Sequence, residues 1–199
     1  MTRLRTGAEL LELVDPLADL LVDTVRAGAS LGFLASLEPA AAAAWWRGAA
    51  PAVDAGLHAV WVTRDAAGPT GTVGLRFTET PNGVHRAELV KLMVHRRARG
   101  RGLARALLAA AERGAAEAGV RLLCLDTETD SPAERLYRTA GWEAAGTIPD
   151  YAADPHGTLR ATTLFYKRVD GPEGGAVPVR GGRRAVVSGV DYGSCHARR

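Results

Sequence analysis

The thirty residues at positions 89–118, LVKLMVHRRARGRGLARALLAAAERGAAEA, decide how this chain folds. The first six are mostly apolar and typical of a buried strand, and the second half repeats leucine and alanine at helical spacing. Between them lie Gly100 and Gly102, which tolerate backbone conformations closed to other residues. A strand that passes through glycines into a helix leaves the first helical N–H groups unpaired and pointing one way. The stretch therefore predicts an anion site, suited to phosphate, at the start of a helix.

Two familiar phosphate motifs do not match this turn. A Walker loop needs a lysine before its serine or threonine, and no lysine lies there. The Rossmann fingerprint needs glycine or alanine at the position of Arg105. Five arginines between Arg96 and Arg105 add positive charge and planar donors suited to phosphate oxygens. The alternative is an ordinary strand-to-helix turn with solvent-facing arginines.

Composition and length predict one globular domain. The chain has 199 residues, 47% of them hydrophobic and 24% charged, which is enough to bury a core. Its apolar N-terminal segment is interrupted by Pro16 and three aspartates, so we expect neither a signal peptide nor a membrane span, and a cytoplasmic location without a membrane partner. The cysteines and histidines have no metal-ligand spacing, and we expect no metal.

The basic excess lies mainly in the C-terminal segment. Residues 170–199 carry two of the three net positive charges, whereas a nucleic-acid-binding domain concentrates such charge on its folded surface. We therefore expect no nucleic-acid partner. The segment is rich in glycine and arginine and lacks periodicity, which predicts a flexible tail at 170–199 after a domain at 1–169, with 185–190 as a strand candidate.

Periodicity and turn residues predict the element order β-α-α-β-β-β-α-β-α-β-β. The predicted strands are 1–5, 58–63, 70–78, 85–94, 120–126, 142–148 and 158–168, and the predicted helices are 7–27, one from 39 through the tryptophans at 45 and 46, 102–118 and 132–139. Loops are predicted at 65–69 and 149–157. This order indicates a single α/β domain with a mixed sheet.

Two segments in this order resemble the GCN5-related N-acetyltransferases, the GNAT family. The family's acetyl-CoA signature, Arg/Gln-x-x-Gly-x-Gly/Ala, is met by Arg99, Gly102 and Ala104. The run from Ser131 to Tyr137, followed by Ala-Gly-Trp at 140–142, is similar to the family's next helix and strand, with tryptophan in place of the usual phenylalanine. Two separate motifs in the right order are more specific than the glycine turn alone.

The resemblance extends over roughly residues 1–168 and is strongest after residue 58. It implies a mixed, mostly antiparallel sheet whose fourth and fifth strands splay apart. Within the family, residues 88–94 and 148–167 are most similar to the tabtoxin-resistance acetyltransferases.

The same resemblance implies that acetyl-CoA binds between the splayed strands as co-substrate. The residues expected to contact it are Met93, Val94, Arg99, Gly100, Arg101, Gly102, Leu103, Ala104 and Ser131. The backbone of Val94 would meet the pantetheine arm, and Arg96, Arg97 or Arg101 would reach the 3′-phosphate. Ser131 is also a simple helix cap.

The resemblance further implies the catalytic groups. Tyr137 stands at the family's general-acid position, the alternative being a tyrosine that only packs in the core. Glu88 is the candidate base, with Asp126 or a water as rivals. The even spacing of Glu88 and Val94 puts both side chains on one face of the strand unless a bulge intervenes, and the family leads us to expect a bulge.

For the acceptor, we expect contacts from Asp126, Tyr151 and Arg160, the last through a substrate carboxylate. Together with Glu88, the carboxylates at 126, 128, 150 and 154 could form an acidic cleft that favours a cationic amine. The expected reaction is acetyl transfer to the primary amine of a small molecule, such as an amino-acid-like toxin or antibiotic. The alternatives are a protein N-terminus or lysine as acceptor, or a non-catalytic CoA-sensing or partner-binding module. Many relatives are homodimers, and the sequence leaves the oligomeric state open.

Overall fold

The computed structural model describes residues 1–169, which contain five α-helices and seven strands. The helices are α1 (Gly7–Leu11), α2 (Val14–Arg26), α3 (Pro39–Asp54), α4 (Leu103–Glu117) and α5 (Pro132–Thr139). The strands are β1 (Thr2–Leu4), β2 (His58–Asp65), β3 (Gly68–Phe77), β4 (Arg86–Val94), β5 (Leu122–Glu128), β6 (Glu143–Ala153) and β7 (Leu159–Arg168). The predicted tail and its strand candidate lie outside the described residues. None of the described helices is long and apolar enough to cross a membrane.

The seven strands form one sheet in the order β1-β2-β3-β4-β5-β7-β6. All neighbours are antiparallel except β4 and β5, which run parallel. Their shared ladder joins only Arg86–Glu88 to Leu122–Cys124, and beyond it the two strands separate. The predicted mixed, mostly antiparallel sheet with splayed fourth and fifth strands is confirmed.

Two apolar cores lie on opposite faces of the sheet. The first packs α1, α2 and α3 on side chains from β1, β2 and β4, and Trp46 within it donates its indole N–H to Leu17 O at 3.0 Å. The second packs α4 and Tyr137 of α5 on β2–β5 and β7. Each fully buried leucine in these cores contributes about 1.5–3 kcal/mol. Among the described residues, β5 and β7 contribute to the second core and not to the first, so their other face is left open.

The single helix predicted at 7–27 is wrong in one detail, because the structure breaks it into α1 and α2. Pro16 lies in the first turn of α2. Its ring would collide with the carbonyl of Glu12 in a continuous helix, and it lacks the N–H that such a helix needs. Proline is tolerated near a helix start, so the chain ends one helix and begins another.

The loop predicted at 149–157 is also wrong, because β6 continues through Pro149 to Ala153. The pairing of β6 with β7 shifts register between Ile148 and Ala152, and Asp150 has φ 49°. These features define a bulge that removes the proline from the hydrogen-bond ladder. Since β6 is an edge strand, a proline costs it little. The hairpin loop predicted at 65–69 likewise shrinks to the two residues between β2 and β3.

A second bulge, in β4, sets the direction of its side chains. Gly74 of β3 pairs with Val90 and Thr72 pairs with Met93, so two residues of β4 oppose one of β3, and Lys91 has φ 51°. Leu89 packs in the second core before the bulge, and Val94 packs against that core after it. Glu88, next to Leu89, therefore faces the opposite side from Val94. The bulge is confirmed, and the shared face suggested by even spacing does not hold.

Candidate active site

The glycine turn between β4 and α4 has the geometry of an anion site. Gly100 and Gly102 have φ 74° and 73°, values that favour glycine, and a short 3-10 turn at Arg96–Ala98 leads into them. The first helical bond runs from Ala106 N to Gly102 O at 3.1 Å. None of the backbone N–H groups at 100–105 donates to an acceptor within residues 1–169. These free donors and the positive end of the α4 dipole favour a phosphate group here.

Of the three arginines expected to reach a 3′-phosphate, two are already engaged. Arg96 pairs with Asp23, and Arg97 pairs with Asp65 and donates to Pro69 O at 3.2 Å. Arg101 has no hydrogen bond or ion pair within residues 1–169, although its charge helps to lower the pKa of Asp65. Arg101 is thus the member of this set whose guanidinium is available to a ligand.

Asp23 ties the helix α2 to the phosphate turn. It accepts from the backbone N of Arg96 at 3.1 Å and from the Arg96 side chain, and His95 Nδ1 lies 3.4 Å from it. Burial alone would raise the pKa of Asp23, but the hydrogen bonds from Arg96 and the charges of Arg96 and His95 outweigh burial and lower it. The carboxylate therefore holds the residues that precede the glycine turn.

We expect Asp23→Asn to destabilise the fold by about 1–3 kcal/mol, because it weakens hydrogen bonds to a charged group. That loss lowers Tm by about 2–12 °C in a chain of this size. Because the folded pKa of Asp23 is depressed, its contribution is complete above the unfolded pKa near about 3.9 and disappears as the pH falls through the lower folded value.

Thermal melts of both proteins between pH 2 and 6 check this pattern. The matched control is Asp19→Asn, one turn earlier on the exposed side of α2. A Tm difference between wild type and Asp23→Asn that persists unchanged to the lowest pH would contradict the assigned role.

The backbone of Val94 is directed into the gap between β4 and β5. His95 N donates to Thr70 O of the β3 side at 2.9 Å. Since consecutive residues of an antiparallel strand turn their backbone groups in opposite directions, the N–H of Val94 points away from β3. The Val94 carbonyl accepts from Arg99 Nε at 3.2 Å. Met93 is buried in the first core at 2% exposure, so it offers only backbone groups to a ligand.

Tyr137 projects from α5 into the second core. Its ring lies 5.7 Å from that of Trp142 and 6.1 Å from that of Phe165, and the residue is 6% exposed. Burial raises the pKa of Tyr137, and the negative charge of Asp126 raises it further. No hydrogen bond to its hydroxyl is found within residues 1–169. Tyr137 is therefore a neutral phenol with a proton to donate.

Ser131 is the N-cap of α5. Its Oγ accepts from Glu134 N at 3.1 Å, and Glu134 Oε2 accepts in return from Asp130 N at 2.6 Å. Because Glu134 reaches the N–H of the residue before the cap, this reciprocal pair is a variant of the capping box. The expectation of a cap is confirmed. A contact between Ser131 and a ligand would have to use the hydroxyl proton, which the cap leaves free.

A cavity of about 480 Å³ lies on the open face beside β4 and β5. Its lining comes from β4–β7 and the residue after β3, and comprises Thr78, Arg86, Ala87, Glu88, Cys124, Leu125, Asp126, Ala145, Tyr151, Leu164 and Phe165. Glu88 has Arg76 as a counter-charge at 3.7 Å. Asp126 has a weaker partner, the hydroxyl of Thr162 at 3.4 Å. The cavity thus brings together Glu88, Asp126 and Tyr151 of the predicted site residues.

Arg160, by contrast, is engaged in the loop between β6 and β7. Its Nε donates to Asp154 Oδ2 at 3.1 Å, and Asp154 also accepts from the backbone N of His156 and Thr158. Hydrogen bonds, first from Thr158 N, lower the pKa of Asp154 although burial opposes the shift. Asp154 is therefore a loop-forming carboxylate. Neither it nor the carboxylates at 128 and 150 belong to the cavity lining, so the predicted acidic cleft narrows to two carboxylates.

Sequence reasoning missed Lys91, which the β4 bulge turns towards the first core. Its Nζ donates to Leu31 O at 2.6 Å and lies 5.1 Å from the ring centre of Phe33 and 5.0 Å from that of Trp45. Burial lowers the pKa of Lys91, and the charge of Arg76 adds to the effect. A single lysine within an apolar strand was the only signal in the sequence. Arg86, on the cavity wall, was missed as well.

Comparisons with known proteins agree with this geometry. Residues 56–144 match the family model described as an acetyltransferase (GNAT) domain. A GCN5-related N-acetyltransferase from Kribbella flavida is 23% identical, with 79% of this chain and 92% of that one covered and a TM-score of 0.64. A ribosomal-protein-alanine N-acetyltransferase from Brucella melitensis is 22% identical, with 84% and 99% covered and a TM-score of 0.64. A Salmonella typhimurium protein assigned as an acetyltransferase, solved with its cofactor acetyl-CoA, is 16% identical, with 89% and 97% covered and a TM-score of 0.68.

The fold and the free amides at the start of α4 define a single α/β domain of the GNAT type with an anion site. Its fold is that of the GNAT acetyltransferases, and residues 56–144 match the domain model of that family. The activity that the matched domain indicates is acetyl transfer.

Proposed function

We propose that this protein transfers the acetyl group of acetyl-CoA to a primary amine of a small molecule, by direct attack within a ternary complex. The observation that carries the proposal is the open gap between β4 and β5, with unpaired amides at one end and a carboxylate-lined cavity at the other. Such a gap lets a thioester and an amine meet without a covalent enzyme intermediate.

The co-substrate is held mainly by backbone donors in this proposal. The free N–H groups from Gly100 to Arg105 receive the pyrophosphate, and the unpaired guanidinium of Arg101 takes the 3′-phosphate. Arg99, bound to the Val94 carbonyl, keeps the end of β4 in place. The backbone groups of Met93 and Val94 and the hydroxyl proton of Ser131 are the donors and acceptors offered to the pantetheine arm.

The reaction then needs three proton transfers. The acceptor ammonium loses a proton to Asp126, directly or through a water, and its nitrogen attacks the thioester carbonyl carbon. The Val94 N–H donates to the carbonyl oxygen as negative charge develops there. As the new C–N bond forms and the C–S bond breaks, Tyr137 gives its proton to the leaving sulfur, and the phenolate takes up the surplus proton of the new amide nitrogen.

Asp126 is a stronger candidate for the base than Glu88 for two reasons. The only partner of its carboxylate in the described residues is the Thr162 hydroxyl at 3.4 Å, so it is free to accept a proton. Glu88 lies in the same cavity but already has the Arg76 guanidinium as a counter-charge at 3.7 Å. We assign Glu88 to a second position, where it attracts the cationic amine and orders water.

The cavity supports a small acceptor. Its volume of about 480 Å³ lies within the usual range for small-molecule sites. A hydrogen bond from Ala35 N to Pro155 O, at 2.8 Å, ties the loop after α2 to the β6–β7 loop. An extended polypeptide would have to break this bond to cross between the two loops. An amino-acid-like toxin or antibiotic fits these limits better than a protein chain.

The test is release of CoA thiol from acetyl-CoA in the presence of a panel of primary amines, with mass spectrometry of the products. We expect release and a product heavier by one acetyl group for some primary amines, and none for their N,N-dimethyl counterparts. If the protein binds CoA but no amine releases thiol faster than hydrolysis by water does, the proposal is contradicted and a CoA-binding module is favoured.

A further inference from the structure

We propose that the acceptor carries an anionic group, such as a carboxylate, several bonds away from the reacting amine, and that Arg86 binds this group. The inference rests on the proposed function and adds the substrate class. One cationic side chain of the cavity lining has no ion pair or hydrogen bond in the described part of the chain.

The other cations near the cavity are engaged. Arg76 has Glu88, and Lys91 has the Leu31 carbonyl and two aromatic rings. Arg160 has Asp154. The guanidinium of Arg86 has no ion pair or hydrogen bond within residues 1–169, yet Arg86 lines the cavity. A planar guanidinium with free donors is suited to bidentate binding of a carboxylate.

The charges of Arg86 and Glu88 both act inside the cavity. Burial raises the pKa of Cys124, which lines the same cavity; Arg86 opposes that shift and Glu88 adds to it. Arg86 and Glu88 are two residues apart on β4 and therefore share a face of the strand. The cavity lining is thus positively charged at the start of β4 and negatively charged further along. A zwitterion fits this lining with its anionic group at Arg86 and its amine towards the carboxylates.

The register of the sheet gives the length of that zwitterion. Arg86 pairs with Leu122 on β5, and Asp126 lies four residues further along β5, which is about 13 Å along a strand. Extended side chains of Arg86 and Asp126 shorten the distance that the acceptor must span. An α-amino acid, however, has only two bonds between its nitrogen and its carboxylate carbon. The reacting amine is therefore a distal one, as in an ω-amino acid or the side chain of a lysine-like molecule.

The experiment compares 6-aminohexanoate with hexylamine, which has the same amine and chain but a methyl group in place of the carboxylate. We expect kcat/KM for 6-aminohexanoate to exceed that for hexylamine by about tenfold or more, and glycine to react poorly. Arg86→Gln should bring the ratio close to one, and Arg86→Lys should restore part of it. Arg113→Gln, which removes an exposed arginine of α4, should leave the ratio at its wild-type value.

Binding gives a second readout that does not depend on turnover. Calorimetry on the CoA complex should detect 6-aminohexanoate with the wild type and weaker binding with Arg86→Gln. Equal kcat/KM for the two amines, or a preference that survives in Arg86→Gln, would overturn the inference while leaving the proposed function intact. Absence of thiol release with both amines and with the wider panel would overturn the proposed function and this inference with it.

Discussion

Tyr137→Phe is expected to lower kcat by about a hundredfold or more while leaving the KM for acetyl-CoA nearly unchanged. The substitution removes one hydroxyl and keeps the ring that packs on Trp142 and Phe165, so the fold should survive. Without the phenol, the leaving sulfur must depart as a thiolate into apolar surroundings, which is costly. Steady-state kinetics with a reactive amine, together with CoA titrations, measure both effects.

The pH profile adds a second check on Tyr137. Because burial and the charge of Asp126 both raise its pKa, the phenol stays protonated across the physiological range. The wild-type rate should therefore show no loss from this group on the alkaline side up to its ordinary pKa of about 10. The control is Tyr166→Phe, which removes a hydroxyl bound to Glu143 outside the cavity. Turnover of Tyr137→Phe equal to that of the control would remove Tyr137 from the mechanism.

Asp126→Asn is expected to lower kcat/KM for the amine by about a hundredfold at pH 7, since the amide accepts no proton. The deficit should shrink as the pH rises towards the amine's own pKa, near about 10.4 for a lysine-like amine, because the free base then arrives from solution. Rates measured from pH 6 to 10 for wild type and variant reveal this convergence.

Glu88→Gln is the matched comparison, because it removes the other carboxylate from the same cavity. We expect it to raise KM for a cationic amine more than it lowers kcat, since we assign it to attraction of the amine. If kcat instead falls more for Glu88→Gln than for Asp126→Asn, and the Glu88→Gln deficit shrinks at high pH, then Glu88 is the base and Asp126 attracts the amine.

The sequence predicts the region from β4 to α4 well because independent signals agree there. An apolar run, two glycines and a helical repeat each favour the same connection, and the structure gives both glycines the positive φ that this turn needs. Prediction is weaker where one proline acts against a longer pattern. Pro16 divides a helix whose periodicity continues past it, whereas Pro149 leaves β6 intact because that strand lies at the edge of the sheet.

The residues of the candidate site also differ in how well the sequence predicts them. Tyr137, Glu88 and Asp126 follow from motifs that lie at fixed places along the chain. The availability of an arginine depends instead on partners distant in sequence. Arg160 is taken by the Asp154 loop, and Arg86 is left free on the cavity wall, which no local pattern records. The β4 bulge at Lys91 also prevents the sequence from predicting which face of the sheet a β4 side chain occupies, because one extra residue reverses the face of every side chain after it.

The most direct test of the account is a calorimetric titration of the protein with CoA and, separately, with pantetheine, which lacks the nucleotide and its diphosphate. If the bare amides ahead of α4 hold the diphosphate, CoA binds with a measurable heat and pantetheine binds far more weakly. Equal affinities for the two molecules, or no heat with CoA, would contradict the assignment of the glycine turn and the mechanism built on it.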